Sequence, residues 1–197
     1  MNSLYTVLTT AYINAPRLGA IPPRTLLVGA CVIHIDNGFG RIAADLKAHS
    51  SLVTDDPGAT LKWLTQELTR DERRLLVWRA ECIVVPSLIA AAKDLADLPS
   101  AAKFLQALVA ALDRGLIDVA EPFGGARATS LDAILSKEGC PFRPMSKAAM
   151  SEAYRTTCHG DVREHLRLRA LGLWRLWSRH QPGGADLERA VLDALDE

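Results

Sequence analysis

Cys158 and His159 are the only neighbouring cysteine and histidine in the chain, and a thiol beside an imidazole is raw material for covalent catalysis. Neighbours in a chain rarely serve one catalytic role, so the pair reads as incidental. The four cysteines, Cys31, Cys82, Cys140 and Cys158, are widely spaced. They form neither a Cys-x-x-Cys pair nor a zinc-finger pattern, and read as buried free thiols of a cytoplasmic protein. Two residues beyond His159 stands Asp161. Around it run Arg155, Arg163, Arg167, Arg169, Arg175 and Arg179, opposed over that stretch only by Asp161 and Glu164. Arg163 and Arg167 lie one helical turn apart and share a face. With Arg155 they are candidate contacts for the phosphates of a nucleic acid; the competing reading is a solvated helix face.

Periodicity indicates which elements position these groups. Leu4 to Ile13 is rich in β-branched and aromatic residues and predicts a strand. Thr25 to Ile35 predicts a second, the turn signal Asp36-Asn37-Gly38 follows, and a third strand is expected near Phe39 to Ala43. From Thr54 the pattern becomes helical, with Asp55 or Asp56 as cap and Leu61, Leu64 and Leu68 as the apolar face. Arg74 to Trp78 reads as a short buried strand. Pro86 opens an alanine-rich helix to about Ala96, and Ser100 is the expected cap of the next, ending near Gly115. Thr129 and Asp132 predict a capping box for a helix stopping at Gly139. Further helices are expected over Ser146 to Thr156 and Gly160 to Arg179. In the latter, Val162, Leu166, Ala170, Leu173 and Trp177 form the buried stripe, so Trp174 and Trp177 read as core; Trp78 stays open between core and base stacking. An acidic helix or tail, residues 181–197, follows a domain of residues 1–180. Three antiparallel strands followed by alternating strand and helix predict an α/β domain with a mixed sheet.

Composition narrows the function classes. In 197 residues, 23 basic and 23 acidic side chains give zero net charge, and 49% of residues are apolar. Zero net charge excludes binding of nucleic acid by bulk charge alone, though not a local basic stripe. The longest apolar stretch, Ile83 to Ala92, falls short of the roughly 18 residues of a membrane span. The opening MNSLYTVLTTAY lacks the basic region of a secretory signal, so a cytoplasmic protein without a membrane partner is expected.

Several segments, in order, resemble one family. They are Gly29-Ala30-Cys31-Val32-Ile33 before Asn37-Gly38, and Leu76-Val77-Trp78-Arg79 running to Pro86-Ser87-Leu88. Next come Leu116-Ile117-Asp118-Val119, a bend at Gly124-Gly125, Ser130-Leu131-Asp132-Ala133-Ile134-Leu135, and Gly139-Cys140-Pro141. Last is Cys158-His159-Gly160-Asp161-Val162 followed by Leu166. Together they cover most of residues 4 to 178 and resemble the DEDD 3′–5′ exonucleases related to the proofreading domain of family B DNA polymerases. That resemblance implies an RNase H-like fold, a three-stranded antiparallel meander plus parallel strands flanked by helices. It also implies two metal ions, Mg²⁺ or Mn²⁺, held by converging carboxylates beside a single strand.

The resemblance breaks at the carboxylates. The first motif's two acids, which share a strand face, fall on Thr9 and Ala11. The second motif's Asp, just before the Pro-opened helix, falls on Val84. The third motif keeps Asp161, but its Tyr or His partner falls on Thr157. A rewired site of Glu81, His159 and Asp161 is the alternative, since carboxylate and imidazole both ligate metals. Asp161 also suits a helix N-terminus, where a carboxylate caps free N–H groups. The expectation is therefore an exonuclease-like domain without catalysis. It binds single-stranded DNA or RNA, or a protein partner that its acidic tail contacts. An active metal-dependent exonuclease and a scaffold subunit without nucleic-acid contact are the alternatives. The tail, residues 186–197, carries five acids and one arginine; it either folds back on the basic helix or offers its apolar side to a partner.

Overall fold

The computed structural model describes residues 3–17, 20–38, 41–70, 72–156 and 158–196. Five strands, β1 (Ser3–Arg17), β2 (Ala20–Gly38), β3 (Arg41–Ser50), β4 (Arg74–Val77) and β5 (Leu116–Asp118), form one sheet in the order β3-β2-β1-β4-β5. β1 and β2, and β2 and β3, pair antiparallel, whereas β4 joins β1 and β5 joins β4 in parallel. The arrangement is α/β with a mixed sheet, consistent with the expected RNase H-like fold. Its helices among the described residues are α1 (Ala59–Leu68), α2 (Val85–Lys93), α3 (Leu98–Asp113), α4 (Leu131–Lys137), α5 (Lys147–Arg155), α6 (His159–Ser178) and α7 (Gly184–Asp196).

Alternation along the central strands builds two cores. Val7, Ala11 and Ile13 of β1 face the layer of α4 to α7, where Leu166, Leu173, Trp174 and Trp177 are buried. Leu8 turns to the opposite layer of α1 to α3, with Leu64, Leu88 and Phe104. Trp174 and Trp177 are core, as their spacing predicts, and stack around Tyr5 at centroid distances of 6.1 and 4.7 Å. Trp78 is buried too; its indole N–H donates to the Thr129 carbonyl at 3.3 Å, and its ring meets Phe123.

Several expectations need correction. Asp36, Asn37 and Gly38 do not turn but stay in the ladder, opposite Ala43, Ile42 and Arg41. Phe39 lies outside the described residues, and β3 runs seven residues past Ala43, to Ser50. Its composition hides it, because Ala, Asp and Lys are poor strand formers. Only the alternation Ile42, Ala44, Leu46, Ala48 toward the core betrays it. The caps also shift. Asp97, not Ser100, caps α3 and accepts the N–H and O–H of Ser100. Ser130, not Thr129, caps α4 by accepting the Ala133 N–H, which frees Asp132 for Arg169 at 3.4 Å. Gly58 caps α1, with Asp56 accepting its N–H.

Three histidines are built into these layers. His34 of β2 joins the Thr6 hydroxyl at Nδ1 (3.1 Å) and Glu67 at Nε2 (2.9 Å). His165 Nδ1 bonds the Arg143 carbonyl at 2.8 Å, and His49 stacks on Trp63. Burial holds all three imidazoles below their ordinary pKa. At His34 it prevails over the hydrogen bond and charge of Glu67, with Arg73 and Arg70 adding repulsion of the imidazolium. The unfolded chain therefore binds more protons, and the stability these residues contribute is complete above about pH 6.5 and lost as pH falls through it. We expect the melting temperature by circular dichroism to hold from pH 7.5 to about pH 6.5 and to drop from there to pH 5; a flat profile contradicts this.

Candidate nucleic-acid interface

β1 carries the two positions where the resemblance expects acids. Thr9 is buried, and its Oγ1 donates to the Leu166 carbonyl of α6 at 3.0 Å. Ala11 lies two residues on, on the same face, paired in the ladder with Gly29, which in turn pairs with Ser50 of β3. A side chain at Gly29 has no room, since a Cβ there would lie 2.8 Å from Leu166 Cδ1 and 3.1 Å from Val162 Cγ1. Helix α6 therefore rests directly on β1 and β2, and hydrocarbon and a threonine hydroxyl occupy the first motif's acid positions.

The second motif position, Val84, ends a π-helical turn over Ala80–Val84 that follows β4. It is buried in the core on the α1 to α3 side, whereas Ala11 belongs to the core on the other. The turn opens on Arg79, whose φ of 54° is left-handed and unusual for a residue with a side chain. Asp118 at the end of β5 holds it. One carboxylate oxygen accepts the N–H groups of Arg79 (2.8 Å) and Ala120 (2.9 Å), and the other accepts that of Ala80 (2.8 Å). The acid of the Leu116-Ile117-Asp118-Val119 segment thus ties the loop after β4 to β5, a role that spacing alone did not reveal.

Asp161 occupies the first turn of α6 with its side chain half exposed. Its carboxylate does not cap backbone N–H groups as expected; it faces Arg143 Nη1 at 3.4 Å. The Ncap residue, Cys158, makes no side-chain cap. His159 Nδ1 meets Ser50 Oγ at 3.0 Å, and Arg163 Nε donates to the same oxygen at 3.1 Å. The end of β3 is thereby pinned to the first turn of α6. Thr157 lies outside the described residues.

A pair of divalent ions needs several carboxylates converging on one point. The residues in these positions do not fit that need. Thr9 spends its hydroxyl on a carbonyl, Ala11 and Val84 offer no donor atom, and Asp161 pairs with an arginine. The rewired set is not assembled either. Glu81 projects from the π-turn as an exposed residue, and among the described residues no three His, Cys, Asp or Glu side chains gather where they could hold a metal ion.

The arginines of α6 divide into two groups. At its C-terminal end, Arg175 and Arg179 both pair with Glu188 of α7. Arg169 is sunk beside Asp132, and burial lowers its pKa from the ordinary guanidinium value against the pull of that carboxylate. Arg167 contacts Glu164 at 3.3 Å and lines, with Leu46, Leu171, Leu192 and Leu195, a cleft of about 410 Å³ between β3, α6 and α7. The acidic tail has therefore folded back over the basic helix. At the N-terminal end, Arg143, Arg155 and Arg163 stay exposed around His159 and the α6 N-terminus, whose backbone N–H groups favour anions. Among the described residues, Arg155 has only the exposed Glu152 within ion-pair distance, at 3.7 Å. Sequence reasoning missed Ser50 and Arg143, because the contacts that place them span distant parts of the chain.

All four cysteines carry free thiols, but only Cys31 and Cys140 are buried as expected, whereas Cys82 and Cys158 are exposed; desolvation pushes the Cys31 thiol up to about 12, which makes it inert. No described helix is long and apolar enough to cross a membrane. Compared with known proteins, the chain matches no family model, no curated protein and no solved structure.

Proposed function

We propose that this chain is an exonuclease-like domain that binds single-stranded nucleic acid without cleaving it, working in the cytoplasm as part of a nucleic-acid-processing assembly. One observation carries the reading. The sheet order is consistent with a fold that builds a two-metal nuclease, yet the Thr9 hydroxyl is bonded to the Leu166 carbonyl where such a site needs a free carboxylate. Arg155 and Arg163, with Arg143 as a third cation, supply the phosphate contacts; Arg167 serves at the margin where α7 begins to cover the helix. Protein contacts of the assembly fall to surfaces away from this end of α6.

The test is fluorescence anisotropy of a labelled oligonucleotide in EDTA, repeated over a range of salt. Binding is expected without any divalent ion, weakening with salt by a log–log slope of roughly 0.7 per phosphate contact. Arg155→Ala and Arg163→Ala together should weaken it several-fold and flatten the slope by about 1.4. Arg155→Ala alone touches no buried group and separates lost binding from lost folding. Failure to bind DNA or RNA at any salt supports the scaffold reading instead.

A further inference from the structure

Ser50, whose hydroxyl joins His159 and Arg163, closes β3 on the side of α6. Successive strand residues face opposite sides of a sheet, so His49 turns the other way, toward α1. There its imidazole lies nearly parallel to the indole of Trp63, with 5.4 Å between centroids and 17° between planes. β3 is the edge strand, so no further strand separates the two faces at its end. After burial, the charges of Arg163 and His159 also hold the His49 imidazole below its ordinary pKa, which marks how near the aromatic pair stands to the cations. Trp78, Trp174 and Trp177 are buried, whereas Trp63 is half-buried: part of the indole packs on the core of α1 to α3 and the rest meets solvent. His49 is half-buried as well, and its Nε2 has no hydrogen-bond partner among the described residues. Two flat rings, stacked and partly open beside a cluster of arginines, are the two ingredients of single-strand binding: aromatic faces for bases and a cationic track for phosphates.

Charge decides which part of a strand each side takes. Arg155 and Arg163 are exposed on the α6 side and attract phosphates. On the other side, the loop before α1 carries Asp55, which accepts the Leu52 N–H at 2.7 Å, and Asp56, which pairs with Lys62 at 2.7 Å. Those acids repel a phosphate but not a neutral base. We propose that Trp63, backed by His49, stacks a base of the single strand whose phosphates Arg155 and Arg163 hold. The platform rests on the nucleic-acid reading and sharpens its ligand. The strand must offer an unpaired base at the end of β3, which a duplex does not. Stacking there is tolerant of base identity, because every base has a π-face.

Fluorescence anisotropy of the full chain in EDTA, with oligothymidine and with an abasic strand of equal length and charge, tests this. The wild type should bind oligothymidine at least about fivefold more tightly, the low end for one stacked base. Trp63→Leu keeps an apolar side chain on the core but no ring. It should lose that preference and leave the salt slope unchanged, since no phosphate contact goes. Trp63→Phe should retain most of the preference, with circular dichroism reporting the fold of both variants. Oligothymidine should also quench the indole fluorescence of the wild type and not that of Trp63→Phe, because the other three tryptophans are buried. Equal wild-type affinity for the two strands overturns the platform and leaves the nucleic-acid reading standing. So does a Trp63→Leu variant that keeps the preference, or one whose salt slope flattens as the arginine variants' should. Absence of binding to either strand overturns both.

Discussion

Thr9→Asp is expected to destabilise the protein by about 3–5 kcal/mol rather than bring a metal site back. The substitution restores the residue type that the resembling family carries, but the surroundings no longer receive it. Thr9 is buried, and its hydroxyl donates to the Leu166 carbonyl. An ionised carboxylate there has no proton to donate, so two acceptors would face each other in a space that excludes water. Ala11, two residues on along the same strand face, is equally buried and supplies no counter-charge. The loss corresponds to a melting temperature lower by roughly 10 °C for a chain of this size. Burial should raise the pKa of the introduced carboxyl, and its protonated form can donate to Leu166, so the deficit should shrink as pH falls and grow as it rises. Thr9→Asn, whose amide can donate to the same carbonyl, should be milder. Differential scanning calorimetry at pH 5 and pH 8 reads both effects. An unchanged melting temperature, or one raised by Mn²⁺, contradicts the account.

Glu188→Ala should loosen α7 and raise the affinity for a single strand. The residue is only 9% exposed, and its two oxygens engage Arg175 and Arg179, so one side chain fastens the tail to the basic helix. Both arginines are partly solvated and can rehydrate, which lowers the loss to roughly 1–3 kcal/mol, well below that of a fully buried pair. Val191, wholly buried in the core, keeps α7 from detaching completely. The two freed guanidiniums extend the basic surface from the N-terminal end of α6 along its length. Oligonucleotide affinity at low salt should rise several-fold, and the salt dependence should steepen by up to about 1.4. Lower thermal stability without any gain in binding would mean that the strand does not approach this part of the helix.

These two residues also mark how far sequence reasoning reaches. The lack of acids at positions 9, 11 and 84 is plain from residue type and order; β1 and β2 declare themselves through β-branched and aromatic side chains, and β4 through its short apolar run. What fills the vacated positions is not local. Thr9 and Leu166 are 157 residues apart, and no periodicity links a strand hydroxyl to one helix carbonyl. The same holds for Ser50 joining His159 and Arg163, and for Glu188 taking two arginines from α6. The stripe of arginines is visible in sequence, whereas the division between covered and open ends depends on where α7 lands. Asp161 is the instructive misreading. A carboxylate at a helix start has two local uses, capping or metal binding, and a loop arginine, Arg143, supplied a third.

The most direct measurement follows one 5′-labelled single strand in parallel for binding and for length, with the purified chain in EDTA, in Mg²⁺ and in Mn²⁺. The account predicts that the strand is bound to a similar extent in all three and keeps its full length. Stepwise loss of 3′ nucleotides that requires the metal and disappears in Asp161→Ala would contradict it.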